Sequence, residues 1–147
     1  MVNSIGADYI ISPLENNRQN LERTFSMAGP DLRQKAFITV YSRPGLFRIR
    51  SSLDGYYDFR RFSSNEKEMF SLVSGPLGSL VYPEKPFYIA DKIPFLRKAG
   101  FGRFILDLSS GPVKKTEYKD LIKAANEAAP PAGMSRFNWK DGFFNSP

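Results

Sequence analysis

The chain has 147 residues, 41% hydrophobic and 24% charged, which fits one ordinary globular domain and argues against wholesale disorder. It contains neither cysteine nor histidine, which excludes disulfides, thiolate nucleophiles, thiolate-held iron–sulfur clusters, Cys/His zinc sites and a Ser-His-Asp triad. Lys plus Arg is 21 against 15 for Asp plus Glu, a formal charge of +6 that favours an acidic partner or reflects a basic, mixed surface.

From the N-terminus, Asp8-Tyr9-Ile10-Ile11 reads as a short buried strand. Ser12-Pro13-Leu14-Glu15 follows, with an N-cap serine, a proline at the first helical position and a glutamate that closes a capping box. Leu14, Leu21 and Phe25 fall on one helical face, so the spacing predicts a helix from Pro13 to about Met27, ended by Gly29-Pro30. Ala36 to Tyr41 is a second buried strand, rich in branched and aromatic residues. Strand, helix and strand at this spacing predict a βαβ unit with a parallel pair.

The pattern changes at Arg43-Pro44-Gly45. Phe47 and Ile49 alternate with Arg48 and Arg50, Asp54-Gly55 is a hairpin signal, and Tyr57 and Phe59 alternate with Asp58 and Arg60. Asn65-Glu66-Lys67 marks a turn before a strand from Met69 to Val73, and Gly75-Pro76-Leu77-Gly78 another before Ser79 to Tyr82. This is the signature of an antiparallel meander of about four strands.

Beyond Pro83 and Pro86, Ile89, Ile93, Leu96 and Ala99 form a helical stripe, with Pro94 tolerated near its start and Gly100 placed to cap its end. Arg103 to Leu108 reads as a strand. Tyr118, Leu121, Ile122 and Ala125 then predict a helix from Thr116 to Ala128. The tail carries Phe137, Trp139, Phe143 and Phe144, too many aromatics for a free segment, so it is expected to dock. The expected architecture is therefore one mixed α/β (α+β) domain over residues 1–147. It divides into a βαβ-like start (1–42), an antiparallel meander (43–83), a helix-strand-helix stretch (84–129) and an aromatic tail (130–147).

Two groups of residues are candidates for chemistry. Arg43, Arg48, Arg50, Arg60 and Arg61 lie within 19 residues, interleaved with Phe47, Tyr56, Tyr57 and Phe59. Arginine pairs with phosphate through two parallel hydrogen bonds, and aromatics on a sheet can stack bases. Arg43, Arg48, Arg50, Tyr57, Arg60 and Arg61 are thus candidate contacts to nucleic acid or another substrate. The same alternation fits a half-buried sheet with its arginines in solvent. Asp107, followed by Ser109-Ser110-Gly111, closes a strand where open α/β sheets often place their sites. With Glu15 it is a weak candidate for acid/base work. Asp91 is more simply read as complementing a helix dipole. The glycine-containing stretches at 75–78 and 109–112 match neither a P-loop nor a dinucleotide fingerprint. Neither a cofactor nor a calcium loop is expected. No apolar run reaches the ~20 residues that span a bilayer, and the first residues lack a basic region and a long apolar stretch, so a cytoplasmic protein without membrane contact is expected.

The order of these segments resembles the collagenase-like peptidase family U-32. Ser12-Pro13-Leu14-Glu15-Asn16-Asn17-Arg18-Gln19-Asn20-Leu21 is similar to that family's Ser-Pro-Glu and Glu-Asn-Leu segment. Phe37 to Tyr41 running into Ser42-Arg43-Pro44-Gly45-Leu46-Phe47 is similar to its barrel strand and Pro-Leu-Phe turn. Pro86-Phe87, Asp91, Pro94, Leu96, Gly100, Arg103-Phe104 and Asp107-Leu108-Ser109 resemble its later helix, cap and strand. Phe137-Asn138-Trp139-Lys140-Asp141-Gly142-Phe143-Phe144 resembles the closing segment of its large members.

The resemblance implies the end of a TIM-like barrel with a β-rich C-terminal extension. It also implies a partner: an upstream barrel domain or a second copy. The family's signature carries a glycine and two cysteines around the stretch that here reads Tyr41 to Ser51; no cysteine stands there, so no iron–sulfur cluster is implied. Barrel sites gather side chains from several strand ends, and most of those strands are absent, which argues against autonomous catalysis. The expected function is a non-catalytic, accessory C-terminal part that contributes substrate contacts or stability. An RNA-binding sheet, as in relatives that hydroxylate RNA bases, is the alternative. A carboxylate-dependent hydrolase is a second alternative.

Overall fold

The computed structural model describes residues 8–11, 17–27, 29–50, 59–65, 67–130 and 133–137. The capping box at Ser12 to Glu15, the Asp54-Gly55 turn, Tyr56, Tyr57 and the aromatics Trp139, Phe143 and Phe144 lie outside these residues.

The expected βαβ unit forms. Strand β1 (Tyr9–Ile11) and strand β2 (Ala36–Ser42) are parallel, with Tyr9 opposite Ala36 and Ile11 opposite Ile38. Helix α1 (Arg18–Met27) lies between them in sequence and buries Leu21. Its N-cap is Asn17, whose Oδ1 accepts the Asn20 N–H at 2.8 Å. The described helix starts at Arg18, directly after this Asx cap, and the predicted start at Ser12 to Glu15 lies outside the described residues. A second, short helix α2 (Pro30–Lys35) follows Gly29, where the sequence pattern predicts only a helix end. Pro30 terminates α1 and, with its fixed φ, also opens α2. Asp31 in the first turn and Arg33 and Lys35 in the last complement the dipole of α2. Arg33 reaches further, donating to the carbonyls of Ser26 (3.4 Å) and Ala99 (3.2 Å).

Strand β2 is the centre of the first sheet. It pairs with β1, with β8 (Arg103–Leu106) in parallel, and near its end with β7 (Phe87–Tyr88) in antiparallel. The parallel strands form an open sheet, not a closed barrel. Ala36, Ile38, Val40, Tyr41 and Ser42 are all buried. The period-two pattern breaks after Val40 because the register with β8 shifts between Thr39 and Tyr41, a bulge that inserts one unpaired residue. The core joins β2 to Ile89, Ala90, Ile93, Leu96, Phe101, Leu121 and Ala124. Ile89 leads into a 3-10 turn (Ala90–Lys92), which supplies Ala90; helix α3 (Ile93–Lys98) supplies Ile93 and Leu96, Phe101 follows it, and helix α4 (Lys115–Glu127) supplies Leu121 and Ala124. Gly100 adopts φ +98° after α3, as its capping position predicts. Tyr88 is fully buried and its ring meets Tyr41 edge-on at 6.4 Å.

The second sheet contains four antiparallel strands: β3 (Phe47–Ile49), β4 (Phe62–Ser63), β5 (Met69–Gly75) and β6 (Gly78–Pro83). Three run consecutively, but the spatial order is β3-β6-β5-β4. The first strand therefore pairs with the last; the strand expected around Tyr57 falls outside the described residues, except for Phe59, which lies in a turn ahead of β4. Gly78 allows this arrangement. It sits at φ +103°, and a Cβ there would run into the Ile49 carbonyl oxygen, so only glycine lets β3 approach the β5–β6 turn.

Register assigns the faces of this sheet, since directly opposed residues share a face. Phe70, Leu72, Val81, Pro83 and Phe47 share one, and Ser71, Val73, Leu80, Tyr82 and Arg48 the other. On the first face Phe59, Phe62, Phe70 and Phe137 form a chain of ring contacts with centroids 5.8, 5.8 and 6.0 Å apart. Phe137 is buried and its N–H donates to the Pro86 carbonyl at 2.8 Å. The tail thus docks on its own chain at Phe137, as its aromatic content predicts.

Candidate functional site

The two sheets meet the solvent together beyond the C-terminal ends of β2 and β8, the region where open parallel sheets place their ligands. Arg43 follows the last residue of β2. After β8, the Asp107 N–H donates to the Tyr41 carbonyl at 2.8 Å, and its Oδ1 accepts the Ser109 N–H at 2.9 Å. This Asx turn directs the chain to Ser110.

From the second sheet, Arg60 and Arg61 precede β4, where the Phe59 carbonyl accepts the Leu72 N–H at 3.1 Å. A hollow of about 350 Å³ is lined by Arg43, Arg60, Arg61, Ser71, Tyr82 and Ser110, among others. Glu84 also lines it and is held by Arg61, with Nη2 at 2.9 Å from Oε1 and 3.1 Å from Oε2. Three arginines thus line one hollow together with one glutamate. A smaller hollow of about 100 Å³ adjoins it, sharing Arg43 and Ser110 and including Tyr41, Gly111 and Glu117.

Of the six residues marked in the sequence as contacts, the structure gathers Arg43, Arg60 and Arg61. Arg48 lies on the same sheet face as Tyr82, two strands' width from Val73, with its side chain exposed. Arg50 follows β3 and is exposed. Tyr57 lies outside the described residues. The interleaved aromatics divide differently from the expectation: Phe59 belongs to the ring chain on the opposite face, and Phe47 shares that opposite face. Asp107, the candidate acid/base, lines neither hollow.

Tyr82 and Ser110 are site residues that sequence reasoning passed over. Tyr82 ends a predicted strand, and only its register with Ser71 reveals that it shares a face with Arg48. Ser110 reads as a turn residue until β8 is placed beside β2. The side chains of Arg43, Tyr82 and Ser110 make no hydrogen bond, ion pair or ring contact with other described residues. All three line the hollow, whereas Tyr41, Tyr88 and the phenylalanines of the ring chain each have a ring partner. Among the described residues no three carboxylates are grouped to hold a metal ion. No helix among them is long and apolar enough to cross a membrane.

The larger hollow carries groups that can bind an anion, beside one glutamate that engages Arg61. Guanidinium groups supply forked donors, the serine and tyrosine hydroxyls supply single donors, and no imidazole or thiol is present to transfer a proton or attack a carbonyl. Comparison of the chain with protein-family models, with curated proteins and with solved structures returns no match.

Proposed function

We propose that this chain is a non-catalytic recognition module, the accessory C-terminal part of a protein similar to the U-32 peptidases, and that it contributes contacts to an anionic substrate. The observation that carries the reading is the gathering of Arg43, Arg60 and Arg61 around one hollow beyond β2 and β8. The state of the carboxylates supports gripping over transforming. Glu84 is engaged by Arg61, and Asp107 holds a backbone turn. The partner that completes such a module is a barrel domain, carried upstream or by a second copy.

RNA is the substrate class that this surface favours. Arg48 and Arg50 extend the positive charge along β3, and Arg48 shares a face with Tyr82, so phosphates and bases both find complementary groups. The reading includes a cytoplasmic location, where RNA is met.

The test is a titration of labelled single-stranded RNA at several salt concentrations. Binding through Z phosphates lowers log K against log salt with a slope of roughly −0.7Z. Arg43→Ala and Arg48→Ala are each expected to weaken binding and flatten the slope by about one contact's worth. A slope near zero for the wild-type protein removes RNA as the substrate.

A further inference from the structure

Tyr82 is half-buried on β6 and lines the arginine hollow with Phe70, yet its ring makes no aromatic or cation–π contact and its hydroxyl no hydrogen bond among the described residues. Gly45 lies beside the ring. A Cβ built there would stand 3.8 Å from Cε1 and 3.9 Å from Cζ of Tyr82, and 3.5 Å from Cδ2 of Leu80. That is ordinary contact distance, so alanine fits, but any longer branched side chain at this position would lie against the ring. The Gly45 backbone therefore lies beside Cε1 and Cζ of Tyr82 with no side chain pressed against them. Ser71, Ser110 and Arg43 line the same hollow, and their side chains make no hydrogen bond or ion pair among the described residues.

We infer that Tyr82 is the stacking seat for one unpaired nucleobase, with Arg43 taking the adjoining phosphate and the hydroxyls of Ser71 and Ser110 reaching the base edge or ribose. This rests on the reading of the hollow as an RNA site and narrows it to single-stranded or looped RNA. At about 350 Å³ the hollow is at the lower end of the range for small-ligand pockets, roughly 300–1,000 Å³, so it admits one base with its sugar and not a run of them. In an A-form duplex the bases are stacked inside and offer no free face to a tyrosine. A flat aromatic with an open face accepts any base, so the seat confers preference for unpaired RNA and little for sequence.

The experiment measures binding of a short fluorescent single-stranded oligoribonucleotide, the duplex of the same length, and inorganic polyphosphate as a competitor carrying charge alone. Tyr82→Ala is expected to weaken single-strand binding about 5- to 150-fold while leaving the salt slope unchanged, and Tyr82→Phe to retain most of the affinity. Gly45→Val leaves Tyr82 in place but covers its ring, so it is expected to weaken single-strand binding without altering polyphosphate binding. It also keeps the assignment testable if Tyr82→Ala fails to fold.

Equal affinity for duplex and single strand overturns the assignment. So does unchanged single-strand binding in folded Tyr82→Ala or Gly45→Val. If Arg43→Ala weakens RNA binding while both of these variants leave it intact, the stacking seat falls and the RNA site stands. If the wild-type protein binds no RNA, both fall.

Discussion

The Tyr88 hydroxyl donates a 2.6 Å hydrogen bond to the carbonyl oxygen of Ala129, joining the central sheet to the chain just past α4. Burial, and next the negative charge of Asp91, push the Tyr88 pKa up to about 12, with Arg136 pulling the other way. The folded state favours the neutral phenol. The stability this contributes is complete below pH 10, the ordinary tyrosine value, and is lost as pH rises from there through about 12. Urea midpoints measured across this interval are expected to fall. In Tyr88→Phe, already weakened by about 0.5–1.5 kcal/mol from the lost hydrogen bond, the same decline should be shallower. A wild-type decline no steeper than the variant's would remove Tyr88 as its source.

Asp91 and Arg136 form a 2.8 Å ion pair beside that tyrosine, with side chains only 17% and 27% exposed. Arg136 also donates to the Tyr88 carbonyl at 3.4 Å. Asp91→Asn is expected to destabilise by about 1.5–3 kcal/mol, the usual range for a hydrogen bond to a charged group. It should also lower the pH at which Tyr88 ionises, because it removes a charge that opposes ionisation. Arg136→Met should raise it. An ultraviolet titration of the phenol reads both shifts, and movement in the same direction would contradict the arrangement.

Phe137 closes the ring chain against Phe70 and is 6% exposed. Phe137→Ala is expected to cost about 3–5 kcal/mol. Leu77→Ala, at an exposed turn, should change stability by less than about 0.5 kcal/mol. Equal effects in thermal melts would show that residues 133–137 are not held against the second sheet.

Much of this architecture is written in the chain. The parallel pairing of β1 and β2 follows from two apolar runs with a helix between them, and the β4–β5 and β5–β6 turns from Asn65 and Gly75-Pro76-Leu77-Gly78. The partner of β3 is not legible, because alternation marks a strand and its two faces but says nothing about which neighbour it takes. Nor is α2, whose six residues are too few to display a period. The site was half legible: a cluster of arginines in sequence marks Arg43, Arg60 and Arg61, but Tyr82 and Ser110 join them only through strand register. Phe59 shows the converse, an aromatic that looks available in the alternation and is taken by its neighbour Phe62, which in turn packs on Phe70.

At Gly78, alanine faces both a left-handed φ and the Ile49 carbonyl oxygen. Gly78→Ala is expected to cost at least about 1–3 kcal/mol from backbone strain, with further loss as β3 detaches. Gly102→Ala meets nothing within 4 Å and has no left-handed φ, so it should be neutral or slightly stabilising. Hydrogen exchange at β3 distinguishes strain from detachment, since only detachment exposes the amides that pair with Leu80.

Asp107 is expected to act on stability. Asp107→Ala loses the bond to the Ser109 N–H and should cost about 0.5–1.5 kcal/mol, while Asp107→Asn retains an acceptor and should change little. A peptide-cleaving activity that Asp107→Asn abolished at unchanged melting temperature would instead give this carboxylate a chemical role.

The whole second sheet is inserted in sequence between β2 and β7, two strands that pair with each other. Its turns are made by near neighbours along the chain, whereas β2 must find β8 across the entire insertion. Such distant pairings limit refolding speed. The entropy of closing the intervening loop grows only logarithmically, by about 0.6 kcal/mol for each doubling of its length. The arginine-bearing sheet is therefore the portion of this chain that can lengthen or shorten over evolutionary time with the least penalty to the parallel strands that carry it.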